Sequence, residues 1–124
     1  MVVRSLFPIL STSDLPGLVQ FYERALGATV AYSFPDDRGG DAYVSLALGT
    51  VSLGIGADPE TSASPSDRVA LWFYVDDVDA AHQAALAAGG SEERPPTDMP
   101  WGERVSQFRD VDANLVNLAV EPAP

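Results

Sequence analysis

Apolar positions follow a strand-like and then a helix-like spacing twice along this chain. Residues 2–10 and 69–75 are rich in β-branched and aromatic side chains, and each segment predicts a strand. Apolar residues at helical spacing follow both segments. They are Leu18, Phe21, Tyr22 and Ala25 in the first copy and Val78, Ala81, Ala85 and Ala88 in the second. The pattern therefore predicts a strand–helix unit that occurs twice.

The residues that flank the two helical patterns also repeat. Ser13 or Asp14 can cap the first helix, and Asp76 or Asp77 can cap the second, because such side chains accept hydrogen bonds from the free N–H groups of a first turn. Glycine follows both helical patterns, as is typical of helices that end in the left-handed conformation. Caps and glycines recur at one interval of about half the chain, which indicates two tandem modules.

Three further strands complete each module. They are predicted at 29–34, 42–48 and 51–55, and at 91–94, 104–109 and 115–120. Residues 58–68 hold two prolines and several small polar residues, which is typical of a linker. We therefore predict one α+β domain, residues 1–124, made of two tandem βαβββ modules at 1–57 and 69–124. The modules should form a half-open, curved mixed β-sheet. Because one helix covers only one face of each sheet, the other face should be concave and form a ligand cleft.

Composition narrows the chemistry that this fold can carry. The chain has no cysteine, His82 as its single histidine, a net charge of −11, and only arginines among its seven basic residues. Disulfides, Cys-based metal sites and clusters of histidine ligands are therefore excluded. We expect His82 on the polar side of the second helix, exposed to solvent. The negative charge disfavours nucleic acid and anionic membranes as partners, and the absence of a long apolar run favours a cytoplasmic location.

Three sets of motifs resemble a known family. The segments are Ser13–Leu15, Phe21–Glu23 and Leu26–Gly27, then Val75–Ala80, and finally Met99–Arg104 and Phe108–Val116. Their order and spacing resemble the vicinal-oxygen-chelate superfamily, which includes glyoxalase I, extradiol dioxygenases, fosfomycin-resistance enzymes and bleomycin-resistance proteins. The usual closing turn of that family is Asp-Pro-Asp-Gly-Asn, and here Val111 and Ala113 replace its proline and glycine.

The resemblance also implies where a metal would be bound. In the metal-dependent members the ligands are mostly His and Glu on the inner face of the sheets, and the corresponding positions here are Phe7, Ser52, Ala70 and Asn117. Divalent metals prefer imidazole and carboxylate donors, which these side chains do not offer. We therefore expect no metal and no cofactor. The resemblance is closest to the bleomycin-resistance proteins, which bind a drug and sequester it unchanged.

Strand alternation predicts which side chains line the cleft. Val44, Leu46 and Leu48 should pack on the helix, so the residues between them should face the cleft. Trp101 stands in a Pro-Trp-Gly loop, where an exposed aromatic side chain favours a binding role. The predicted ligand-binding residues are Phe7, Ile9, Tyr43, Ser45, Ala47, Ser52, Ala70, Trp72, Tyr74, Trp101, Val105, Gln107 and Asn117. A cleft lined by small residues and by large flat ones suits a planar, mostly apolar ligand.

Three functions remain open at this point. The first is metal-free binding and sequestration of a hydrophobic aromatic natural product, such as an antibiotic, for resistance or self-protection. The alternative is a vicinal-oxygen-chelate enzyme, a lyase, isomerase or dioxygenase-like protein, in which Tyr74, Glu103 or Asp41 would serve as acid or base. The third is a protein-interaction module. Under all three we expect a homodimer with clefts at or near the interface.

Overall fold

The first helix forms where the sequence predicts it. The computed structural model describes residues 2, 4–64 and 66–122. Helix α1 spans Leu15–Leu26, and the Asp14 side chain caps it by accepting a hydrogen bond from the N–H of Gly17 at 3.1 Å. Gly27 ends the helix at a φ of 69°, a left-handed conformation that glycine adopts without steric cost. The predicted cap and the predicted end are both confirmed.

The second helix repeats this arrangement. Helix α2 spans Val78–Ala87, and Asp77 caps it by accepting a hydrogen bond from the N–H of Ala80 at 3.1 Å. Gly89, with a φ of 111°, stops the chain from continuing as a helix. No helix in the described part of the chain is long and apolar enough to cross a membrane.

The first sheet contains the strands of the first module. Its strands are β1 (Ile9–Thr12), β2 (Thr29–Pro35), β3 (Asp41–Leu48) and β4 (Val51–Ala57), in the order β1-β4-β3-β2. β1 pairs with β4 in parallel, and the other neighbours are antiparallel.

The predicted first strand at 2–10 is wrong in its extent. Pairing begins at Ile9 and continues to Thr12, because β1 follows β4 from Gly54 to Ala57 and Pro8 has no N–H to donate to a ladder. Some predicted segments include residues outside the described ones, namely Met1, Val3, Pro65, Ala123 and Pro124.

The second sheet repeats the same topology. Its strands are β5 (Ser66–Tyr74), β6 (Ser91–Asp98), β7 (Arg104–Arg109) and β8 (Asn114–Ala119), in the order β5-β8-β7-β6. β6 extends beyond the predicted 91–94, although it contains Pro95 and Pro96. It lies at the edge of the sheet and has two register irregularities, which is where prolines are tolerated in strands.

The hydrophobic core lies where the two helices meet and where each helix packs on its own sheet. α1 contacts β3 and β4, α2 contacts β6, β7 and β8, and the helices contact each other. Phe21 of α1 reaches Phe108 of the second sheet with ring centroids 6.0 Å apart. The Tyr22 hydroxyl donates a 2.6 Å hydrogen bond to Asp110, which joins the two modules. The α+β architecture of paired βαβββ modules is therefore confirmed.

The expectation of a solvent-exposed His82 is wrong. His82 is completely buried, and its Nε2 lies 2.8 Å from Oε1 of Glu92 on β6. Val78, His82 and Ala85 are the buried residues of α2, and they share one stripe at helical spacing. The neighbouring alanines are too small to make a full apolar stripe alone, so the histidine ring fills the layer between α2 and the sheet.

Candidate ligand-binding site

The open face of the first sheet is the face turned away from α1. Backbone register places Tyr43 and Ser45 of β3 beside Phe34 and Tyr32 of β2 on this face. The ring centroids of Tyr32 and Phe34 are 5.6 Å apart, and each lies 6.3 Å from that of Tyr43. Tyr32 is 50% exposed and Phe34 is 59% exposed, so this three-ring cluster forms an accessible apolar wall.

A β-bulge builds this aromatic cluster. Val30 pairs with Leu46, and the next paired residue of β2 is Tyr32, so Ala31 is an extra residue in the strand. The bulge changes the face on which later side chains stand, and it brings Tyr32 and Phe34 to the open side. The prediction missed both aromatics. Their spacing of two residues was a signal for a shared face, but the sequence does not show which face.

Gly54 gives the Tyr43 ring its position. A Cβ on Gly54 would collide with the phenol oxygen of Tyr43 and would lie 2.9 Å from the ring carbon that carries it. The ring therefore extends over β4 at a point where the strand has no side chain. Burial raises the pKa of the Tyr43 phenol, the neighbouring Tyr32 phenol adds to the rise, and the nearby Ser45 hydroxyl opposes it.

The open face of the second sheet is more polar. Register places Trp72, Asn117, Gln107 and Arg94 in one row across β5, β8, β7 and β6. The Gln107 amide donates a 2.8 Å hydrogen bond to Asn117, whose own amide donates to the carbonyl of Leu71 at 3.3 Å. The sequence prediction missed Arg94, which is exposed at the end of this row. The row therefore presents an aromatic ring at one end and hydrogen-bonding groups at the other.

Tyr74 begins the neighbouring row of the same face. Its partners are Ala119 and Val105, which are almost fully buried and contribute the floor beneath the exposed rings. The Trp72 and Tyr74 rings are 45% and 51% exposed, and their centroids are 6.4 Å apart at an angle of 71°. The second sheet therefore carries an aromatic pair of its own.

Two cavities lie at the junction of the modules, and Trp72 lines both. The larger, of about 470 Å³, lies among the end of α1, the β3–β4 turn and residues Trp72–Val75. The smaller, of about 180 Å³, lies between Pro8, Ser52 and Trp72. The larger volume is within the range of small-molecule pockets. The structure thus brings Ser52 of the first sheet and Trp72 of the second into one wall.

Trp101 lines a different cavity. Its ring is 60% exposed, and its indole N–H donates a 2.8 Å hydrogen bond to Glu103. Trp101 and Glu103 line a space of about 360 Å³ together with Val120 and Glu121. Glu121 also lines the 470 Å³ cavity, so the two spaces meet at this side chain.

The predicted site residues fall into two groups on the two sheets. On the first module are Phe7, Ile9, Tyr43, Ser45, Ala47 and Ser52, and on the second are Ala70, Trp72, Tyr74, Trp101, Val105, Gln107 and Asn117. Of these, Ser45, Val105 and Asn117 are buried. Phe7 lies before β1 and is 48% exposed. The accessible surface of the site therefore comes mainly from the aromatic residues.

The side chains at the four metal positions do not fit a divalent metal. Phe7 and Ala70 have no donor atom, and Ser52 offers only a hydroxyl group. The amide oxygen of Asn117 already accepts the hydrogen bond from Gln107. Among the described residues, no group of three or more His, Cys, Asp or Glu side chains is arranged to hold a metal ion.

A family model for the Glyoxalase/Bleomycin resistance protein/Dioxygenase superfamily matches residues 5–118. The chain belongs to this superfamily. The family predicted from the motifs is thereby confirmed. The name of the superfamily covers both bleomycin-resistance proteins and enzymes.

Relatives of this glyoxalase/bleomycin-resistance chain include proteins of both kinds. The protein CFP32 of Mycobacterium bovis is 31% identical over 113 residues, which cover 90% of this chain and 42% of that protein. This chain therefore spans less than half the length of that relative. A glyoxalase-related enzyme from Fulvimarina pelagi has the same fold, with a TM-score of 0.78 and 19% identity over 98% of this chain and 90% of that one. A bleomycin-binding protein complexed with bleomycin also has this fold, with a TM-score of 0.70 and 22% identity over 97% of this chain and 100% of that one.

Proposed function

We propose that this protein binds and sequesters a planar, largely apolar natural product, such as an antibiotic, without a metal. The observation that carries the proposal is the exposure of aromatic rings on both open faces, at Tyr32, Phe34, Trp72 and Tyr74, beside metal positions whose side chains cannot hold a metal. We further expect it to act in the cytoplasm. Resistance or self-protection is the role that such sequestration serves.

The chemistry of the walls supports an aromatic ligand. Exposed rings at the surface of a sheet present apolar area to water. Covering them with a flat molecule contributes a favourable free energy of about 25 cal/mol for each Å² of apolar surface that is buried. Offset or edge-to-face contacts between rings add about 0.5–1.5 kcal/mol each. The polar end of the row, at Gln107 and the exposed Arg94, can orient such a ligand. The bleomycin-binding protein, which has the same fold, is complexed with bleomycin, and this supports a small-molecule ligand for the fold.

We also propose that the active form is a homodimer. Exposed aromatic side chains on two sheet faces form apolar patches of the kind that marks an interaction surface. A second copy would cover part of these faces around a two-fold axis, so that the first sheet of one protomer and the second sheet of its partner could enclose one cleft.

Isothermal titration calorimetry with metal-free bleomycin and a panel of planar aromatic antibiotics tests the proposal. We expect binding of at least one compound, and recovery of that compound unchanged by mass spectrometry. Trp72→Ala should weaken binding roughly tenfold, the equivalent of about 1.4 kcal/mol. Val111→Ala, in the exposed β7–β8 turn, is the control and should bind like the wild type.

Two results would overturn the proposal. Chemical conversion of a bound compound, together with about one equivalent of tightly bound metal in elemental analysis, would assign the chain to the enzymes of the superfamily. Equal affinity of the Trp72→Ala and wild-type proteins would show that the ligand does not use the second sheet.

A further inference from the structure

Three hydroxyl-bearing side chains stand together on the open face of the first sheet. Tyr32 and Ser45 are direct partners across β2 and β3, the Tyr43 phenol lies over Gly54, which is the partner of Ser45 in β4, and the rings of Tyr32 and Tyr43 are neighbours. Ser45 is only 4% exposed, whereas the Tyr32 side chain is 50% exposed. The group of hydroxyls therefore runs from a buried end to an end that the solvent reaches.

Gly54 makes this arrangement possible. The Tyr43 phenol oxygen occupies the space that a Cβ on Gly54 would take, and Ile9 approaches the same point from the other side at 3.0 Å. Gly56 stands on the same face of β4 one pair further along, where an added Cβ would have only an ordinary contact with Ile9 at 3.8 Å. Only the first glycine is required for the position of the phenol.

The surroundings of the hydroxyls are otherwise apolar. Phe34 and Ile9 are 59% and 56% exposed around them, and register places Gly56 and Ala47 on the same face. Directly paired positions on this part of the face carry no charged side chain. A flat ligand that covers these apolar side chains would shield a hydrogen bond made here from water, which increases the effect of that bond on specificity.

We propose that Tyr32, Tyr43 and Ser45 form a hydroxyl anchor for a planar aromatic ligand with a hydrogen-bonding oxygen on its ring, and that Gly54 is a specificity-determining residue because it leaves room for the Tyr43 phenol. The inference rests on the proposed function and names its ligand class more narrowly, as phenolic or ring-carbonyl compounds. The rings of Tyr32 and Phe34 contact the ligand face, and the hydroxyl anchor pairs with the oxygen at its edge.

A matched pair of probes tests the anchor. Binding of 2-naphthol and of naphthalene is measured by calorimetry and by ligand-observed NMR, and the ratio of the two dissociation constants is the readout. A hydrogen bond contributes about 0.5–1.5 kcal/mol net, so the wild type should prefer 2-naphthol by roughly fivefold. Tyr43→Phe should reduce this preference to about onefold while naphthalene still binds, because the ring remains and only its hydroxyl is lost.

A matched pair of glycine variants isolates the role of position 54. Gly54→Ala should lower the preference for 2-naphthol by displacing the phenol, and Gly56→Ala on the same strand and face should leave it unchanged. Thermal melting of each variant checks that the fold is retained, and Tyr43→Phe supplies the decisive comparison if Gly54→Ala does not fold. If Tyr43→Phe kept the full preference for 2-naphthol over naphthalene, or if the wild type showed no such preference, the hydroxyl anchor would be disproved while the proposed function would stand. Binding of neither probe to the wild type would contradict the proposed function as well.

Discussion

Ala113 occupies a backbone conformation that alanine rarely adopts. Its φ is 67°, and it is the one residue other than glycine with positive φ in the described part of the chain. It lies in the β7–β8 turn, where Asp110 accepts hydrogen bonds from the backbone N–H groups of Asp112 and Asn114, both at 2.9 Å. These bonds hold the turn in a conformation in which the Cβ of Ala113 is crowded by its own backbone. Strain is therefore stored at a single residue.

Replacing Ala113 with glycine should release this strain. We expect Ala113→Gly to raise the free energy of unfolding by about 1 kcal/mol, because glycine has no Cβ to crowd the left-handed conformation. Urea denaturation measures the change. Ala88→Gly is the control, since Ala88 ends α2 with an ordinary φ of −81°, and there glycine should give no stabilisation. A loss of stability in Ala113→Gly would mean that the turn is not strained.

Tyr22 makes the stability of the protein sensitive to alkaline pH. Burial, together with the charge and hydrogen bond of Asp110, raises the pKa of the Tyr22 phenol well above its usual value. The folded state therefore keeps the proton after the unfolded chain begins to lose it, so the stability present below about pH 10 falls as the pH rises above that value. In Tyr22→Phe we expect lower stability at neutral pH but a shallower decline above pH 10. Urea unfolding across this range would show parallel curves if the phenol had no such effect.

At the scale of elements, α2 depends on a buried polar contact. His82 is enclosed between α2, Phe108 and β6, and its link to Glu92 is the polar contact that ties the helix to the edge strand. His82→Ala leaves a cavity and removes the partner of Glu92. We expect the unfolding free energy to fall by roughly 2 kcal/mol. Gln83→Ala, at the next and exposed position, should change it by less than about 0.5 kcal/mol, and an equal loss in both variants would contradict this explanation.

The sequence predicts elements best where a local signal acts alone. Asp14, Asp77 and Gly27 define the helix ends through bonds within a few residues, and these predictions are confirmed. The start of β1 depends instead on where β4 lies, a contact between segments far apart in the chain. The bulge at Ala31 likewise depends on pairing with β3, so the sequence did not place Tyr32 and Phe34 in the site. The ends of the helices could therefore be predicted from neighbouring residues, whereas the start of β1 and the bulge in β2 could not, because they depend on pairing with distant strands.

At the scale of the whole molecule, the exposed faces predict self-association. We expect sedimentation equilibrium to give a dimer mass, and Phe34→Asp to shift the protein towards monomer, because a carboxylate buried at an apolar interface loses its hydration. Val111→Asp adds the same charge in the exposed β7–β8 turn and should remain dimeric. A wild-type monomer at high concentration would exclude the proposed two-chain cleft.

The two tryptophans are placed in a way that makes the second wall optically distinct. Both tryptophans, Trp72 and Trp101, belong to the second module, whereas Tyr32 and Tyr43 stand on the first sheet. Excitation at the red edge of the protein absorption band therefore reports on the second module alone, whereas tyrosine absorbance reports on both sheets, because Tyr74 lies beside Trp72. A compound that changes the tryptophan signal touches the second module, so the unaltered protein already carries a reporter for ligands on that wall.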